Sequence, residues 1–262
     1  MIRLSAVIIA RNEERNLDRC LDSLEGLVDE VVVVDSGSTD GTVARCRARG
    51  ARVVAHAFEG FTAQKNFAVA QASHDHVLSL DADEALSPAL RAAVLAAKGD
   101  WRADGYDFNR LNHYGERPIR SCGWYPDCKI RLWDRRRGRW AGGLVHETVV
   151  LDAGARQAHL EGDLLHYAYQ EPGQLIAKVR SYSALWAEER AGRRVGVAGL
   201  LGRTVAAFLK SYLLKGGVLD GYEGLLISVT NANHTFYKYA RLLEAGRAAA
   251  PAAPRPGGEA SP

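Results

Sequence analysis

Cysteine is scarce. Cys20, Cys46, Cys122 and Cys128 are the only four in 262 residues, and no two of them form a CxxC pair. A chain of this length does not depend on disulfides, so they read as reduced thiols of a cytoplasmic protein. Cys122 and Cys128 are too far apart for a zinc pair, nothing nearby in sequence completes a site, and no zinc is expected. A strong charge of one sign is missing too. The formal net charge is +3, which gives no ground for a nucleic-acid partner. No uncharged apolar run reaches the roughly 18–20 residues of a membrane span. The opening MIRLSAVIIARNEE is charged too soon for a signal peptide. No transmembrane anchor is expected, although contact with a membrane surface stays open. The segment DSGSTDGT (35–42) lacks the GK[ST] of a P-loop and is not a GxGxxG fingerprint.

What is present is an ordinary globular composition, 47% hydrophobic and 25% charged, enough for a large domain with an appendage. Over residues 1–100 strands and helices alternate. Strands are expected at 4–10, 30–35, 52–55 and 76–80. A helix over 13–25 would be capped by Asn12, one after Asp40 would end at Gly50, one over 63–72 would follow Thr62, and Ser87-Pro88 opens a fourth. Alternation with short loops predicts a mostly parallel sheet with helices on both faces, which binds ligands at the carboxyl ends of its strands. Over 101–170 the pattern turns to antiparallel strands, at 105–115, 129–136 and 158–167, with ERP (116–118) as a hairpin turn. Residues 171–246 read as a helical region. Its stretch 197–217 carries a stripe of Leu200, Leu201, Val205, Phe208, Leu209 and Tyr212, with Arg203, Lys210 and Lys215 elsewhere. Residues 247–262 are Pro/Ala/Gly-rich and read as a disordered tail.

Three acidic groups coincide with strand ends. In VLSLDADEAL (77–86), alternation in an extended segment would turn Asp81 and Asp83 to one side, where two carboxylates make a site for Mg²⁺ or Mn²⁺. The bland alternative is an acidic approach to the next helix, favoured by its dipole. Glu84 is expected to serve the following turn. Asp35 ends the second strand, and Asn12, Glu13 and Glu14 end the first. Tight turns and helix caps are the plain reading of these residues.

Taken together, AVIIARNEERNLDRCLDSL, EVVVVDSGSTDGT, AQKNFAVAQA and LSLDADE, in that order, resemble the family-2 glycosyltransferases of GT-A fold. The resemblance covers about 4–170, with a donor half (1–100) and an acceptor half (101–170), and implies a nucleotide-diphosphate-sugar donor. It implies that Ala10, Asn12 and Glu13 at the first strand end and Asp35 and Ser36 after the second hold the nucleoside. Lys65 and Asn66 would line the donor site, with Asp81 near the ribose, Ala82 beside it, and Asp83 the direct metal ligand. His166 is implied as a further metal ligand and Asp81 as a third. GGLVHE resembles the HE of lipopolysaccharide-core members, which makes Glu147 the base of an inverting transfer, with Asp127 as runner-up. The Glu-Asp form of that motif is absent. Arg131 and His146 are assigned to acceptor or phosphate, and the arginines at 135–139 either meet acceptor phosphates or are a solvated run.

The subgroup resemblance implies a uridine diphosphate sugar, glucose first, and a lipopolysaccharide-core or other glycolipid acceptor. It also implies a peripheral place on the cytoplasmic face of the inner membrane. For the C-terminal helices, a packed pair closing the site and a homodimer interface are the alternatives. For the whole chain they are a non-catalytic nucleotide-sugar or glycan-binding protein, and an aspartyl phosphatase. The phosphatase pattern wants its strand early and Thr or Val where Ala85 stands.

Overall fold

The computed structural model describes residues 1–142, 147–190, 192, 193 and 195–248. The chain divides into two compact units, Met1–Glu171 and Pro172–Pro262.

In the first unit, β1 (Leu4–Ala10), β2 (Glu30–Asp35), β3 (Arg52–Ala55) and β4 (His76–Asp81) pair in parallel in the order β3-β2-β1-β4. β1 and β2 are near-continuous apolar runs because helices cover both faces. Leu4, Ala6 and Ile8 join one core cluster and Val7, Val32 and Val34 the other. From β1 the chain builds outward in one direction and then, at β4, in the other. The crevice of such a switch lies at the carboxyl ends of β1 and β4. The intervening helices are α1 (Leu17–Leu24), α2 (Thr42–Ala48) and α3 (Phe61–Gln71).

After β4 come β5 (Glu84–Leu86) and α4 (Pro88–Gly99), then β6 (Gly105–Tyr114), β7 (Arg117–Pro118) and β8 (Cys128–Asp134). β9 (Gly138–Ala141), β10 (Thr148–Leu151) and β11 (Gln157–Tyr169) follow. β8 runs antiparallel between β4 and β6, and β11 is parallel to β6. The short β5 joins the far side of β11 antiparallel, and β9 and β10 form a separate hairpin. In β11, Gly162 sits at φ +111°, where a Cβ would lie 2.3 Å from the Leu90 backbone nitrogen. This bulge resets the register, so that His166 stands opposite Glu84 and the Tyr167 N–H donates to the Asp83 carbonyl (2.9 Å). The turn after Asp81 is thereby tied to β11.

Several local expectations change. Asn12 does not cap a helix over 13–25. It lies at φ +57°, its side-chain oxygen accepts from the Thr39 N–H (2.7 Å), and α1 begins only at Leu17. Asn tolerates that left-handed position better than most residues. Thr62 lies inside α3, which starts after Gly60 at φ +107°. Asp40 does receive the Thr42 N–H (3.0 Å), and Ser87 that of Leu90 (3.2 Å). Asp81 and Asp83 do not share an extended segment, because 82–83 is a turn between β4 and β5. Within 116–118, Arg117 and Pro118 pair with β6 as β7.

The second unit contains α5 (Pro172–Glu188), α6 (Val197–Leu209) and α7 (Gly221–Ala248). The stretch expected as one helix over 197–217 passes from α6 into a π-helical turn, Lys210–Leu214. Gly216 in the left-handed region and a 3₁₀ turn, Gly217–Asp220, then lead into α7. Val197–Leu214 is, by length and composition, apolar enough to cross a membrane, with a mean hydropathy of 1.3 and only 11% of it buried. The tail assigned to 247–262 lies outside the described residues beyond Ala248.

Glu30 shows how the sheet and its loops are bound. Its carboxylate accepts from Ser5 Oγ (2.7 Å), Ser73 N–H (2.8 Å), Ser73 Oγ (2.7 Å) and Arg52 (3.0 Å). Burial pushes its pKa up, but these donors outweigh it and bring it from 4.5 down to about 2. A depressed carboxyl stabilises the fold above its unfolded value and loses that contribution as pH falls toward its folded one. Glu30→Gln should therefore cost about 2 kcal/mol at pH 7. In urea unfolding, the gap from the parent should close as pH drops from 4.5 toward 2. A pH-independent gap would assign the effect to packing.

Candidate active site

The carboxyl ends of β1, β2 and β4 bring Glu13, Asp35, Asp81 and Asp83 to the crevice. Asp35 is buried and accepts from the Gly37 and Ser38 N–H groups (both 3.0 Å), which curls 35–38 into a tight loop. The Ser36 N–H donates to the Ala10 carbonyl (3.0 Å), and Ser36 Oγ accepts from Gln64 (2.8 Å). Ala82 is buried in the turn between the two aspartates. Glu13 is held by Asn16 (2.9 Å). Burial raises its pKa first, and the nearby Asp83, Asp81 and Asp40 charges raise it further against that hydrogen bond.

At the centre lie two buried cations. Lys65, on α3 and 2% exposed, places Nζ 3.0 and 3.1 Å from the two Asp81 oxygens and 3.2 Å from Glu147 Oε1. Arg131, on β8 and 3% exposed, donates to Glu84 Oε1 (2.8 Å) and Asp81 Oδ2 (3.3 Å). The Trp140 ring lies 4.5 Å from Lys65 Nζ and 5.0 Å from the Arg131 guanidinium carbon. Burial pushes the Asp81 carboxyl up, but Lys65 and Arg131 overcome it and hold it well below the usual range. Arg131 is likewise opposed by burial, yet Glu84 and Asp81 hold its charge firmly.

Glu84 does not serve the following turn. It is fully buried, accepts the Asp81 N–H at Oε2 (2.9 Å) and anchors Arg131. Asp83 points elsewhere, with its Oδ2 3.4 Å from His166 Nε2. His166 Nδ1 is 2.6 Å from Asn112 Oδ1. An amide oxygen only accepts, so Nδ1 carries a proton, and in the neutral ring the Nε2 lone pair faces the carboxylate. Two electron-pair donors then confront each other across 3.4 Å. That pairing fits a shared divalent cation, with Asn112 orienting the imidazole as an outer partner. Asp81 is already committed to Lys65 and Arg131.

The remaining assignments divide. Glu147 meets Lys65 rather than an arginine of 135–139. Asp127 is clamped by Arg110 (2.8 Å) and Lys129 (2.9 Å); burial raises its carboxyl, but these partners bring it below the ordinary value. Asn66 gives both ends of its amide to the Trp140 backbone (2.9 and 3.1 Å) and so holds β9 against α3. Arg135 donates to the Val69 and Ala72 carbonyls, and Arg136 pairs with Asp134 and Asp75, so these two bind the scaffold. His146 lies outside the described residues.

Sequence reasoning passed over Asn112, Trp140 and Gln64, which sit in ordinary strand and helix patterns with no local signal. It also found no partner for Cys128, whereas the fold brings Asp107, Cys128 and His159 together from three strands, with ligand atoms within 4.8 Å. There Asp107 already accepts from Gln157 and His159, which makes a closed hydrogen-bonded group.

Comparison with known proteins gives the family. The family model described as Glycosyl transferase family 2 matches residues 5–158. The chain is 33% identical over 257 residues to the lipopolysaccharide core biosynthesis glycosyltransferase LpsC of Rhizobium meliloti, covering 92% of each chain. It is 30% identical to a glycosyltransferase of Rickettsia typhi, covering 93% of this chain and 88% of that one. The crystal structure of glucosyl-3-phosphoglycerate synthase from Mycobacterium tuberculosis with Mn²⁺, uridine diphosphate and glucosyl-3-phosphoglycerate is 30% identical. It covers 43% of this chain and 44% of that chain, at a TM-score of 0.36.

Removing Arg131 should expose how much the cluster depends on it. Arg131→Met leaves Glu84 buried without its main partner and should cost about 3–5 kcal/mol. Adding Glu84→Gln should recover much of that loss in a double-mutant cycle measured by denaturant unfolding. Simple additivity of the two losses would show that the pair is not the stabilising unit.

Proposed function

The chain belongs to glycosyl transferase family 2 and is a glycosyltransferase of mixed α/β, GT-A type; from that premise we propose an inverting, divalent-metal-dependent transfer of a hexose from a nucleotide-diphosphate sugar to a lipopolysaccharide-core or similar glycolipid acceptor. A uridine diphosphate sugar, glucose first, is the proposed donor. The relation to LpsC, named for lipopolysaccharide core biosynthesis, supports the acceptor class. The reaction then belongs on the cytoplasmic face of the inner membrane, where such an acceptor would be met.

The observation that carries the reading is the meeting of Asp83 with the Nε2 lone pair of His166 at the carboxyl end of the sheet. Asp83 and His166 would hold Mg²⁺ or Mn²⁺, which when bound counters the negative charge of the diphosphate and of its departure. Asp35 and Glu13, at neighbouring strand ends, are proposed for the nucleoside. Lys65 keeps Asp81 ionised and in place beside them. Glu147 takes the proton from the acceptor hydroxyl as that oxygen bonds to the anomeric carbon. The anomeric carbon–oxygen bond breaks with its electron pair leaving on the diphosphate, so no covalent sugar–enzyme species is needed. Glu147 is preferred over Asp127 because Arg110 and Lys129 clamp Asp127 away from that role.

Asp83→Ala should lose metal-dependent release of nucleoside diphosphate by at least about 100-fold while its thermal unfolding stays cooperative. Glu147→Gln should still gain thermal stability from donor plus Mn²⁺, yet transfer about 10²–10⁴-fold more slowly. Unchanged release in the first variant would remove Asp83 from the metal site. Near-normal transfer in the second would place the base elsewhere, with Asp127 next.

A further inference from the structure

The helices of the second unit bury some apolar side chains, Leu175, Leu200, Ile227 and Leu242 among them, but leave a larger apolar face outside. Leu200 of α6 and Ile227 of α7 are buried, and the π-helical turn after α6 is joined to α7 by polar groups: Ser228 Oγ meets Ser211 Oγ (3.0 Å), and Asn231 Nδ2 donates to Ser211 Oγ (2.9 Å), with Ser211 and Ser228 at 4% and 0% exposure. Gly224 lets α7 close on the 3₁₀ turn, since a Cβ there would lie 1.8 Å from the Gly217 carbonyl oxygen. The outward face is apolar. Leu201, Val205, Leu209 and Leu213 follow one another at four-residue steps and are each about half exposed, and Leu214 and Leu219 at the tip are 81% and 83% exposed. Water penalises the exposed leucines, whereas in lipid leucines face outward and small polar residues join helices.

We propose that the α6–α7 hairpin enters the lipid of a membrane leaflet tip first, with Leu214 and Leu219 as its deepest anchors. Arg203 and Lys210 are exposed on the same hairpin and suit anionic headgroups, and Lys215, beside Leu214, reaches back toward them along its flexible stem. The occupant is lipid rather than a second copy of the chain. The most exposed apolar residues lie at the turn, in a π-helical and 3₁₀ segment, and not along a flat helix flank that a two-fold partner would match. The inference rests on the second unit alone and is independent of the transfer chemistry.

The test is sedimentation of the full chain with vesicles of phosphatidylethanolamine and phosphatidylglycerol, without donor. The parent should co-sediment and stay bound after a high-salt wash, because buried apolar area is not screened. Leu214→Glu with Leu219→Glu should cut binding by at least about tenfold. Its thermal unfolding and its turnover of a soluble sugar acceptor should not change, since both residues are exposed. Lys210→Gln with Lys215→Gln should weaken only the first, salt-sensitive capture. Parent protein that stays in solution, or that releases fully in salt, overturns the insertion. So does a parent dimer that the leucine substitutions turn into a monomer with vesicle binding intact. Loss of transfer with vesicle binding retained would count against the catalytic reading alone.

Discussion

Two buried cations hold this site together. Lys65 and Arg131 lie among Asp81, Glu84 and Glu147, with the Trp140 ring beside both. The three carboxylates would repel one another, and none could be desolvated alone without protonating. The cations come from α3 and β8, the acids from β4, β5 and the approach to β10, and the ring from β9. Forming the cluster therefore requires the parallel half and the antiparallel half to be docked together. A buried ion pair is weak evidence for stability in itself. Its consequence here is registry, because the partners of each cation come from separate elements.

That arrangement separates the two aspartates of DAD. Asp81 is neutralised by the protein, while Asp83 meets an imidazole whose proton is directed to the other nitrogen by Asn112. The separation follows from the turn at 82–83 and from the docking of β5 on β11, which sets His166 opposite Glu84. A slip of one residue in β11 would swap the faces of its side chains and take His166 away from Asp83. The bulge at Gly162 is thus connected to the proposed metal site through the register, although it contributes no group to it.

What could be read in advance was what periodicity and caps encode. The strands of the parallel half, the Ser87-Pro88 helix start and the acids at strand ends were legible because each signal is local. Asn12 was misread because capping and the left-handed turn both favour Asn, and the choice depends on Thr39, distant in sequence. The Lys65–Glu147 contact spans 82 positions, and that of His166 with Asn112 spans 54. No spacing rule reaches so far. Family resemblance brought Lys65, Glu147 and His166 into view, but it could not show that Asn66 is committed to Trp140 or that Glu84 is the inner anchor of the cluster.

The C-terminal helices make the complementary point. The stripe Leu200, Leu201, Val205, Phe208, Leu209 and Tyr212 has the period of a helix packing on a core, and a water-soluble bundle would turn it inward. Of that stripe only Leu200 is fully buried, alongside Ile227 of α7, and Ser211 of the π-helical turn is joined to Ser228 and Asn231. The spacing of apolar residues along a helix gives the direction of its apolar face but does not say whether protein or lipid lies on it. The exposure of the apolar residues decides between the two. Serines and an asparagine hydrogen-bonded between helices are stable against either solvent, whereas a row of exposed leucines is at ease only beside something apolar. The first unit places charges of both signs inside and pairs them; the second joins its hairpin through buried serines and leaves a row of leucines outside.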